Sequence, residues 1–416
     1  MNKLINFTKH PFFTGSMTML VGLNIFNAGQ FFYHLLAARI LGKAYYGDLA
    51  AILSIIGEIG IVHLAIGMTI IRFIASEKKE ITVNNYIKWF SWWSILVGGV
   101  IGILAFIASP LIIKFLNITQ PAAIYLLGPA LFVSLIVSVG RSILQGLLKF
   151  DKYVLSMMAE LGVRILLTVV LTALGYAVFG AMSAIVLGTL FSIFVIKFFV
   201  GAHLKGIKGA RPKIQPLFKY AVPVFIQGLA LTSMYTVDVL MVKHFFPPDK
   251  AGLYAAMGIL GRTVFYGAAP IVGVMFPLIS KRYARGERYY NIFFLSAILI
   301  GLASALIVGF YWLFPNFAIL ALYGSDFLEG ASFLWLISLF MALVSISNLF
   351  VQFYLSIGKT VIVWPVVIAS GLQAILIWFI HPDLLTVIKL SILSSALLVA
   401  VLLAYFPFHA RSSSKQ

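Results

Sequence analysis

Cysteine is missing from the 416-residue sequence, and charged residues make up only 10% of it. Without cysteine the chain forms no disulfide, no thiolate metal site and no cysteine nucleophile. Seven histidines are present without ligand spacing, so the sequence predicts no metal site and no cofactor. Acidic residues are also scarce, 12 against 30 Lys and Arg. They do not cluster at one membrane face, as a membrane-embedded transferase would require.

Apolar residues dominate what is present. They make up 62% of the chain, whose mean hydropathy is +1.05, far above the value for a soluble protein. A helix that crosses about 30 Å of hydrocarbon needs about 20 mostly apolar residues. Runs of that length predict an all-α polytopic membrane protein with about twelve transmembrane helices, at residues 14–38, 48–74, 87–109, 121–147, 153–176, 179–200, 217–244, 250–280, 290–314, 328–357, 360–380 and 385–408. No small-x-small cleavage motif follows the first run, so we interpret it as a retained helix.

The chain has a net charge of +18, and its Lys and Arg residues are distributed unevenly among the predicted loops. Of the 30 Lys and Arg residues, 22 fall in the termini and the even-numbered loops and six in the odd-numbered loops, while Arg164 and Arg262 fall inside helices. Cytoplasmic loops of membrane proteins carry an excess of Lys and Arg. We therefore predict a multi-pass protein of the cytoplasmic membrane with both termini in the cytoplasm. The charge is explained by topology, and no nucleic-acid partner is expected.

The sequence also indicates an internal repeat. Gly47–Ala51 (GDLAA) is matched by Gly252–Ala256 (GLYAA) at an offset of 205 residues, close to half the chain. Six helices precede a basic segment and six follow it. The predicted organisation is a six-helix lobe at 1–200, a basic cytoplasmic linker at 201–219 and a second six-helix lobe at 220–416. With an even number of helices per lobe, the repeats have the same orientation in the membrane.

Several stretches resemble a known transporter family. The run Ala38–Gly47 (ARILGKAYYG), followed by an apolar helix that ends in Ile71–Phe73, is similar to the start of the polysaccharide transporter family. Similar positions in the second half are Pro223, Asp238, Ala251–Tyr254 and Pro277. This family lies within the multidrug/oligosaccharidyl-lipid/polysaccharide (MOP) exporter superfamily. The resemblance implies two pseudo-symmetric six-helix bundles, a V-shaped cavity between them, and alternating access driven in part by ion gradients or membrane potential.

The resemblance also implies a function, that of a flippase rather than an enzyme. Its substrate would be a lipid-linked (polyprenyl-pyrophosphate) oligosaccharide, moved across the cytoplasmic membrane for surface polysaccharide assembly. The partners expected are this glycan, membrane lipid, H⁺ or Na⁺ as coupling ion, and polysaccharide polymerase or assembly proteins. The alternatives are a multidrug or small-molecule antiporter, whose cavity would favour acids and aromatics, and a membrane-embedded transferase.

Charges inside the predicted helices are the candidate functional residues, because an ionisable side chain near the bilayer centre costs at least about 2.5–3.5 kcal/mol. Arg262 has no acid three or four residues away, so it either binds a ligand or pairs with Asp238 or Glu58 from another helix. Arg164 lies four residues after Glu160 on the predicted fifth helix. These two either neutralise one another, or Arg164 faces the cavity as a phosphate or sugar-acid contact.

Each of the other polar residues inside the predicted helices has two possible interpretations. Arg141 either snorkels at the inner end of the fourth helix or lies at the cavity mouth. Glu58 is a coupling proton site or a hydrogen-bonded structural acid, and Asp238 a coupling site or a latch for Arg262. His63 is a coupling candidate or a packed histidine.

Glycine and proline residues inside the predicted helices indicate where helices approach one another and where they break or bend. Gly98 and Gly102 predict a close helix–helix contact within the molecule. Pro129 and the Pro270/Pro277 pair predict breaks or bends in the fourth and eighth helices.

Overall fold

The computed structural model describes residues 11–77, 79–201 and 225–412, and every regular element within them is helical. Residues 202–224, which include most of the predicted linker and Pro223, lie outside the described residues. The α-helices are α1 (Pro11–Ser76), α2 (Glu80–Leu116), α3 (Leu127–Gly146), α4 (Phe150–Ala173), α5 (Ala177–Val200), α6 (Phe225–Ser233), α7 (Val237–Phe245), α8 (Pro248–Ala284), α9 (Tyr290–Leu313), α10 (Pro315–Leu322), α11 (Leu334–Ser356), α12 (Val363–Phe379) and α13 (Leu384–Ser412). Short 3₁₀ helices are Pro121–Leu126, Ser325–Ser332 and Thr360–Ile362.

The number of membrane spans agrees with the sequence pattern once α1 is divided. Ten described helices are long and apolar enough to cross a membrane, and the bent pair α6 and α7 makes an eleventh. One of the ten, Val21–Ala75, has 55 residues, about enough for two spans. Its helical backbone is interrupted at Gly42 (φ 71°, ψ 174°), a conformation that glycine adopts without a Cβ penalty. Counting α1 as two spans gives the expected twelve.

The proline expectations are only partly met. α8 continues as one helix through Pro270 and Pro277, and Pro129 lies in the first turn of α3, where proline is tolerated. The described chain bends instead between α6 and α7, by 42° across Met234–Thr236. The Thr236 hydroxyl donates to the carbonyl of Thr232 (2.8 Å), a back-bonding pattern that often bends helices.

The chain divides into two compact units. The first contains 1–41 and 55–225, and the second contains 42–54 and 226–416. The segment Gly42–Ser54, which we call the strap, therefore belongs to the second unit although it lies in the N-terminal half of the sequence. This division differs from a simple split at the predicted linker because the strap packs with helices that follow the linker.

The first unit is held by apolar faces of four helices. Its core cluster includes Ile70 and Ile74 of α1, Ile87 of α2, Val139 of α3 and Ile196 of α5. On α2, a Cβ added at Gly102 would lie 2.9 Å from the carbonyl oxygen of Gly128, and one added at Gly98 would lie 3.2 Å from that of Phe132. The two glycines thus allow α2 and α3 to approach closely within one molecule, as the sequence predicts.

The second unit has an aromatic core. The ring of Phe293 on α9 lies 4.4 Å from that of Phe353 on α11 and 5.2 Å from that of Phe406 on α13. Large apolar side chains also remain exposed on the outer surfaces of both units, Leu111 and Leu306 among them. Such extensive apolar exposure fits helices whose solvent is lipid.

Candidate functional site

The first polar cluster lies in the first unit, around Arg141 of α3. Its Nη2 forms an ion pair with Glu160 Oε2 of α4 (2.7 Å) and donates to the Ser192 hydroxyl of α5 (3.1 Å). Its Nε donates to the Ser156 hydroxyl (3.1 Å), and Nη2 also donates to the Ser156 carbonyl (3.0 Å). The guanidinium is therefore satisfied by the protein, which favours a structural role for Arg141.

This pairing changes the interpretation of Glu160 and Arg164. The i,i+4 pair suggested by the sequence is not the ion pair that forms, because Arg141 from the neighbouring helix reaches Glu160 at 2.7 Å. Within the described residues, Arg164 has no carboxylate within ion-pair distance. Glu160 still interacts with Arg164 electrostatically, but it is shared with Arg141, so the two arginines have one nearby acid between them.

Arg164 is instead directed at α1. The residue is only 6% exposed. Its Nη2 donates to the Gln30 amide oxygen, and its guanidinium lies 4.5 Å from the centre of the Tyr33 ring. The hydroxyls of Tyr33 and Thr168 lie beside each other. Neither these hydroxyls nor Arg164 Nε has a partner of good hydrogen-bond geometry in the described part of the chain.

The second polar cluster lies in the second unit, at the bend between α6 and α7. The bend exposes backbone carbonyls that would otherwise bond within a helix. Arg262 Nη2 donates to the carbonyl of Tyr235 (2.5 Å), and its guanidinium lies 5.2 Å from the centre of the Tyr235 ring. Gln373 Nε2 donates to the carbonyl of Met234 (2.9 Å). Side chains from α8 and α12 thus satisfy the freed backbone.

Asp238 follows the bend and is 4% exposed. Its Oδ2 accepts from the Tyr254 hydroxyl (2.7 Å) and its Oδ1 from the Val239 amide (2.8 Å). Arg262 is close enough to interact with Asp238 electrostatically, but the two form none of the ion pairs within 4.0 Å found in the described residues. The suggested Arg262–Asp238 latch is therefore not engaged in this structure.

Asp238 is linked through Tyr254 to polar residues of α12 and α13. Gln373 Nε2 donates to the Ser391 hydroxyl (2.9 Å), and Ser391 also interacts with Tyr254. The Gln373 amide oxygen and the hydroxyls of Ser394 and Ser395 are buried without partners in the described structure. A buried carboxylate at a broken helix, linked through Tyr254 to hydroxyl and amide groups, offers oxygens of the kind that a small hard cation prefers.

Two other predicted residues lie apart from these contacts. Glu58, on α1 in the first unit, is partly exposed. His63 is buried, and its backbone carbonyl accepts a long bond from the Ser138 hydroxyl (3.5 Å). For both residues the coupling role and the structural role stay predictions.

Sequence reasoning missed one buried ion pair. Lys243 Nζ of α7 lies 2.6 Å from Asp48 Oδ1 of the strap, and their side chains are 1% and 0% exposed. The sequence alone places both near outer loops. The one available signal is that Asp48 breaks the apolar pattern of the repeat, since its counterpart at the 205-residue offset is Leu253.

Comparisons with known proteins agree on the class of molecule. The sequence profile of the family described as polysaccharide biosynthesis protein matches residues 14–283. An uncharacterized membrane protein of Methanocaldococcus jannaschii is 23% identical over 360 residues, which cover 81% of each chain.

Solved structures show the same fold at low identity. A multidrug resistance MATE family transporter of the MOP superfamily, in an inward-facing conformation, has a TM-score of 0.82 at 12% identity, covering 96% of this chain and 99% of the other. Lipid II flippase MurJ, in an inward closed conformation, has a TM-score of 0.75 at 15% identity, covering 94% and 87%. A MOP superfamily transporter from Pyrococcus furiosus, described as having a binding pocket of reverse polarity, has a TM-score of 0.63 at 13% identity, covering 96% and 95%. The expected MOP fold is confirmed.

Proposed function

The chain is a member of the polysaccharide biosynthesis protein family, and we propose that it is a flippase. It moves an oligosaccharide linked to polyprenyl pyrophosphate across the cytoplasmic membrane by alternating access, for surface polysaccharide assembly. The MurJ likeness supports a transporter fold compatible with such a substrate. A polysaccharide polymerase or other assembly proteins would act on the delivered glycan.

The proposal is based mainly on Arg164. It is a buried guanidinium without an acid partner among the described residues, and a charge in such a place is costly unless something neutralises it. The pyrophosphate of a carrier lipid is an anion whose oxygens suit the planar N–H donors of arginine. A transporter of cationic drugs would gain nothing from this residue.

Asp238 is the proposed site of ion coupling. Its carboxylate is buried and accepts from the Tyr254 hydroxyl, which also interacts with Ser391, the hydrogen-bond partner of Gln373. H⁺ or Na⁺ bound there would neutralise Asp238 and remove the acid that faces Arg262. Coupling would then act through the bend between α6 and α7, where both residues make their contacts.

Deletion of the gene tests the proposal in the cell. We expect the mutant to lose surface polysaccharide and to accumulate the lipid-linked intermediate in the inner leaflet, with both defects restored by the wild-type gene. Normal surface polysaccharide, with no intermediate trapped inside, would contradict the flippase function.

A multidrug or small-molecule antiporter is the second candidate, favoured by the buried acid Asp238 within a MATE-like fold. It predicts that the purified protein binds a cationic dye, and that Asp238→Asn or Glu58→Gln abolishes the binding. Dye binding that survives both substitutions, or that never occurs, counts against an antiporter.

A further inference from the structure

An apolar groove opens on the lipid-facing surface of the second unit, between the start of α12 and the C-terminal part of α13. Its volume is about 320 Å³, and its lining includes Val361, Trp364, Pro365, Val401, Ala404 and Tyr405. Trp364 and Val401 are 59% and 51% exposed. Apolar side chains that remain exposed on a membrane helix contact hydrocarbon, so the groove is open to the lipid of the bilayer.

Ring contacts show which end of the second unit holds the groove. The ring centre of Tyr290, the first residue of α9, lies 6.2 Å from that of Phe353 near the end of α11 and 5.9 Å from that of Phe406 on α13. The ring centre of Tyr354 lies 5.2 Å from that of Tyr405, which lines the groove. The α8–α9 loop and the α11–α12 turn are therefore at the same end of the unit as the groove.

This end of the unit is strongly cationic. Glu287 is the one acid among residues 281–290 and 356–363, and it lies 3.8 Å from Arg285. The cations in the same two stretches are all exposed: Lys281, Arg282, Arg285, Arg288 and Lys359. Clusters of Lys and Arg next to membrane helices attract the headgroups of anionic lipids.

Lys359 is the cation nearest to the groove along the chain, two residues before Val361. Gly358, with φ 78°, makes the turn after α11, in a conformation that glycine adopts without a Cβ penalty. The Lys359 amide then donates to the carbonyl of Tyr354 (2.9 Å). The turn thus holds the backbone of Lys359 beside the groove, while its side chain remains exposed.

The groove and the cations together match one kind of amphiphile. The apolar lining suits a hydrocarbon chain, and a volume of about 320 Å³ accommodates a chain rather than a helix about 10 Å wide. The exposed cations favour a headgroup with net negative charge. An anionic phospholipid has both parts, whereas a zwitterionic phospholipid has the chain without the net charge.

We propose that this groove is a binding site for an anionic phospholipid of the membrane. One acyl chain packs against Trp364 and Ala404, and the phosphate lies near Lys359. The site involves neither Arg164 nor Asp238, and it does not depend on which substrate the protein transports.

The test is native mass spectrometry of the full-length protein, titrated separately with phosphatidylglycerol and with phosphatidylcholine of the same acyl chains. Wild-type protein should bind phosphatidylglycerol at least about 5-fold more tightly, the contribution of one nearby cation. A phosphatidylglycerol that carries a photoreactive diazirine in its acyl chain should crosslink to residues 361–365 or 401–405.

Substitutions that fill the groove give the sharper result. Ala404→Trp, at an exposed position in the lining, should weaken phosphatidylglycerol binding at least about 10-fold, because contact with two or more methylenes is lost. Val401→Trp is a second filling variant. Lys359→Gln should weaken phosphatidylglycerol binding about 2- to 5-fold, since an exposed ion pair is weak, and should leave phosphatidylcholine binding unchanged.

Two matched variants serve as controls. Leu306→Trp adds the same bulk at an exposed position of α9 outside the groove lining. Lys250→Gln removes an exposed cation at the start of α8. Both should bind phosphatidylglycerol as wild type does, and thermal unfolding of every variant controls for folding.

Four outcomes would overturn the proposal. Equal binding of the two phospholipids by wild-type protein would indicate contact with bulk lipid only. Filling variants that fold as wild type and still bind phosphatidylglycerol with wild-type affinity would place the lipid elsewhere, as would a crosslink confined to other helices. Tighter binding of a polyprenyl phosphate than of phosphatidylglycerol, lost in Ala404→Trp, would assign the groove to the transported carrier instead of a phospholipid.

Discussion

At the scale of single residues, three arginines within the long apolar helices, one buried and two partly buried, have three different sets of partners. Arg141 has a carboxylate, two hydroxyls and a carbonyl as partners. Arg262 has a backbone carbonyl and a nearby acid. Arg164 has an amide oxygen and a ring. The first arrangement is that of a structural ion pair, and the other two leave charge for a ligand or an ion to act on.

Substitution of Arg164 or Arg262 by alanine should impair transport without preventing membrane insertion. We expect each variant to lower the transport rate by at least about 10-fold, because a charge-assisted contact is worth more than one factor of ten. Complementation of a deletion strain measures the activity, and the amount of protein in the membrane fraction controls for insertion. Full complementation by both variants would contradict a role for these arginines in transport.

Breaking the Arg141–Glu160 pair should destabilise the first unit. Arg141→Ala leaves Glu160 buried without its partner, which should cost about 3 kcal/mol and lower the thermal unfolding midpoint in detergent. The double variant Arg141→Met/Glu160→Leu should recover most of the loss, since an apolar pair replaces a charged one. Arg285→Ala is the matched control, because its partner Glu287 lies 3.8 Å away at the surface, and it should change stability little. Equal losses of stability in Arg141→Ala and Arg285→Ala would mean that the Arg141–Glu160 pair stabilises the protein no more than a surface pair does.

At the scale of elements, the strap packs closely on the start of α8. A Cβ added at Gly252 would lie 1.7 Å from the carbonyl oxygen of Lys43, and one added at Gly47 would lie 2.8 Å from the Gly252 amide nitrogen. The two glycines that identify the sequence repeat therefore face one another. The contact is secured by the buried Asp48–Lys243 ion pair at 2.6 Å.

Two alanine substitutions in α8 distinguish the effect of this close contact on stability from the effect of helix propensity. Alanine favours a helix over glycine by about 1 kcal/mol, so Gly258→Ala, where nothing lies within 4 Å of the added Cβ, should be neutral or slightly stabilising. Gly252→Ala should instead destabilise by about 1–3 kcal/mol because the backbone of the strap must move. Thermal unfolding of both variants gives the comparison, and the same sign of change in both would contradict the close contact.

Much of the helical pattern could be predicted from the sequence because a lipid-spanning helix needs a long apolar run. The sequence predicts separate helices at 14–38 and 48–74, and the structure interrupts α1 between them at Gly42, since glycine tolerates a positive φ. The bend at Met234–Thr236 was not predicted, because hydroxyl back-bonding is a weaker sequence signal than proline. Contacts between distant segments, Arg141 with Glu160 and Asp48 with Lys243, follow from tertiary packing that no local spacing reveals.

At the scale of the whole molecule, topology is still a prediction from the Lys and Arg distribution, and the absence of cysteine makes it easy to test. A single cysteine replaces Arg285, in the predicted cytoplasmic loop after α8, or Lys250, in the first turn of α8 at its predicted outer end. Both positions are exposed. We expect a membrane-impermeant maleimide to label Lys250→Cys in intact cells and Arg285→Cys only after the membrane is opened. The opposite pattern would invert the predicted orientation and the direction of transport.

The overall fold does not determine which substrate the protein carries. The MOP fold is shared by transporters described as acting on drugs and on lipid II, so the fold alone does not select a substrate. Buried charge distinguishes this chain: Arg164 in the first unit, without a carboxylate at ion-pair distance among the described residues, and Asp238 in the second.

The most direct test of lipid-linked oligosaccharide transport uses purified protein in liposomes that contain a polyprenyl-pyrophosphate-linked oligosaccharide. A membrane-impermeant glycosidase reports how much of the glycan reaches the outer leaflet with time. We predict that wild-type protein exposes the inner-leaflet glycan, that an imposed H⁺ or Na⁺ gradient changes the rate, and that Arg164→Gln slows it at least about 10-fold. Glycan that stays protected at the rate of protein-free liposomes, under either gradient, would contradict the flippase function.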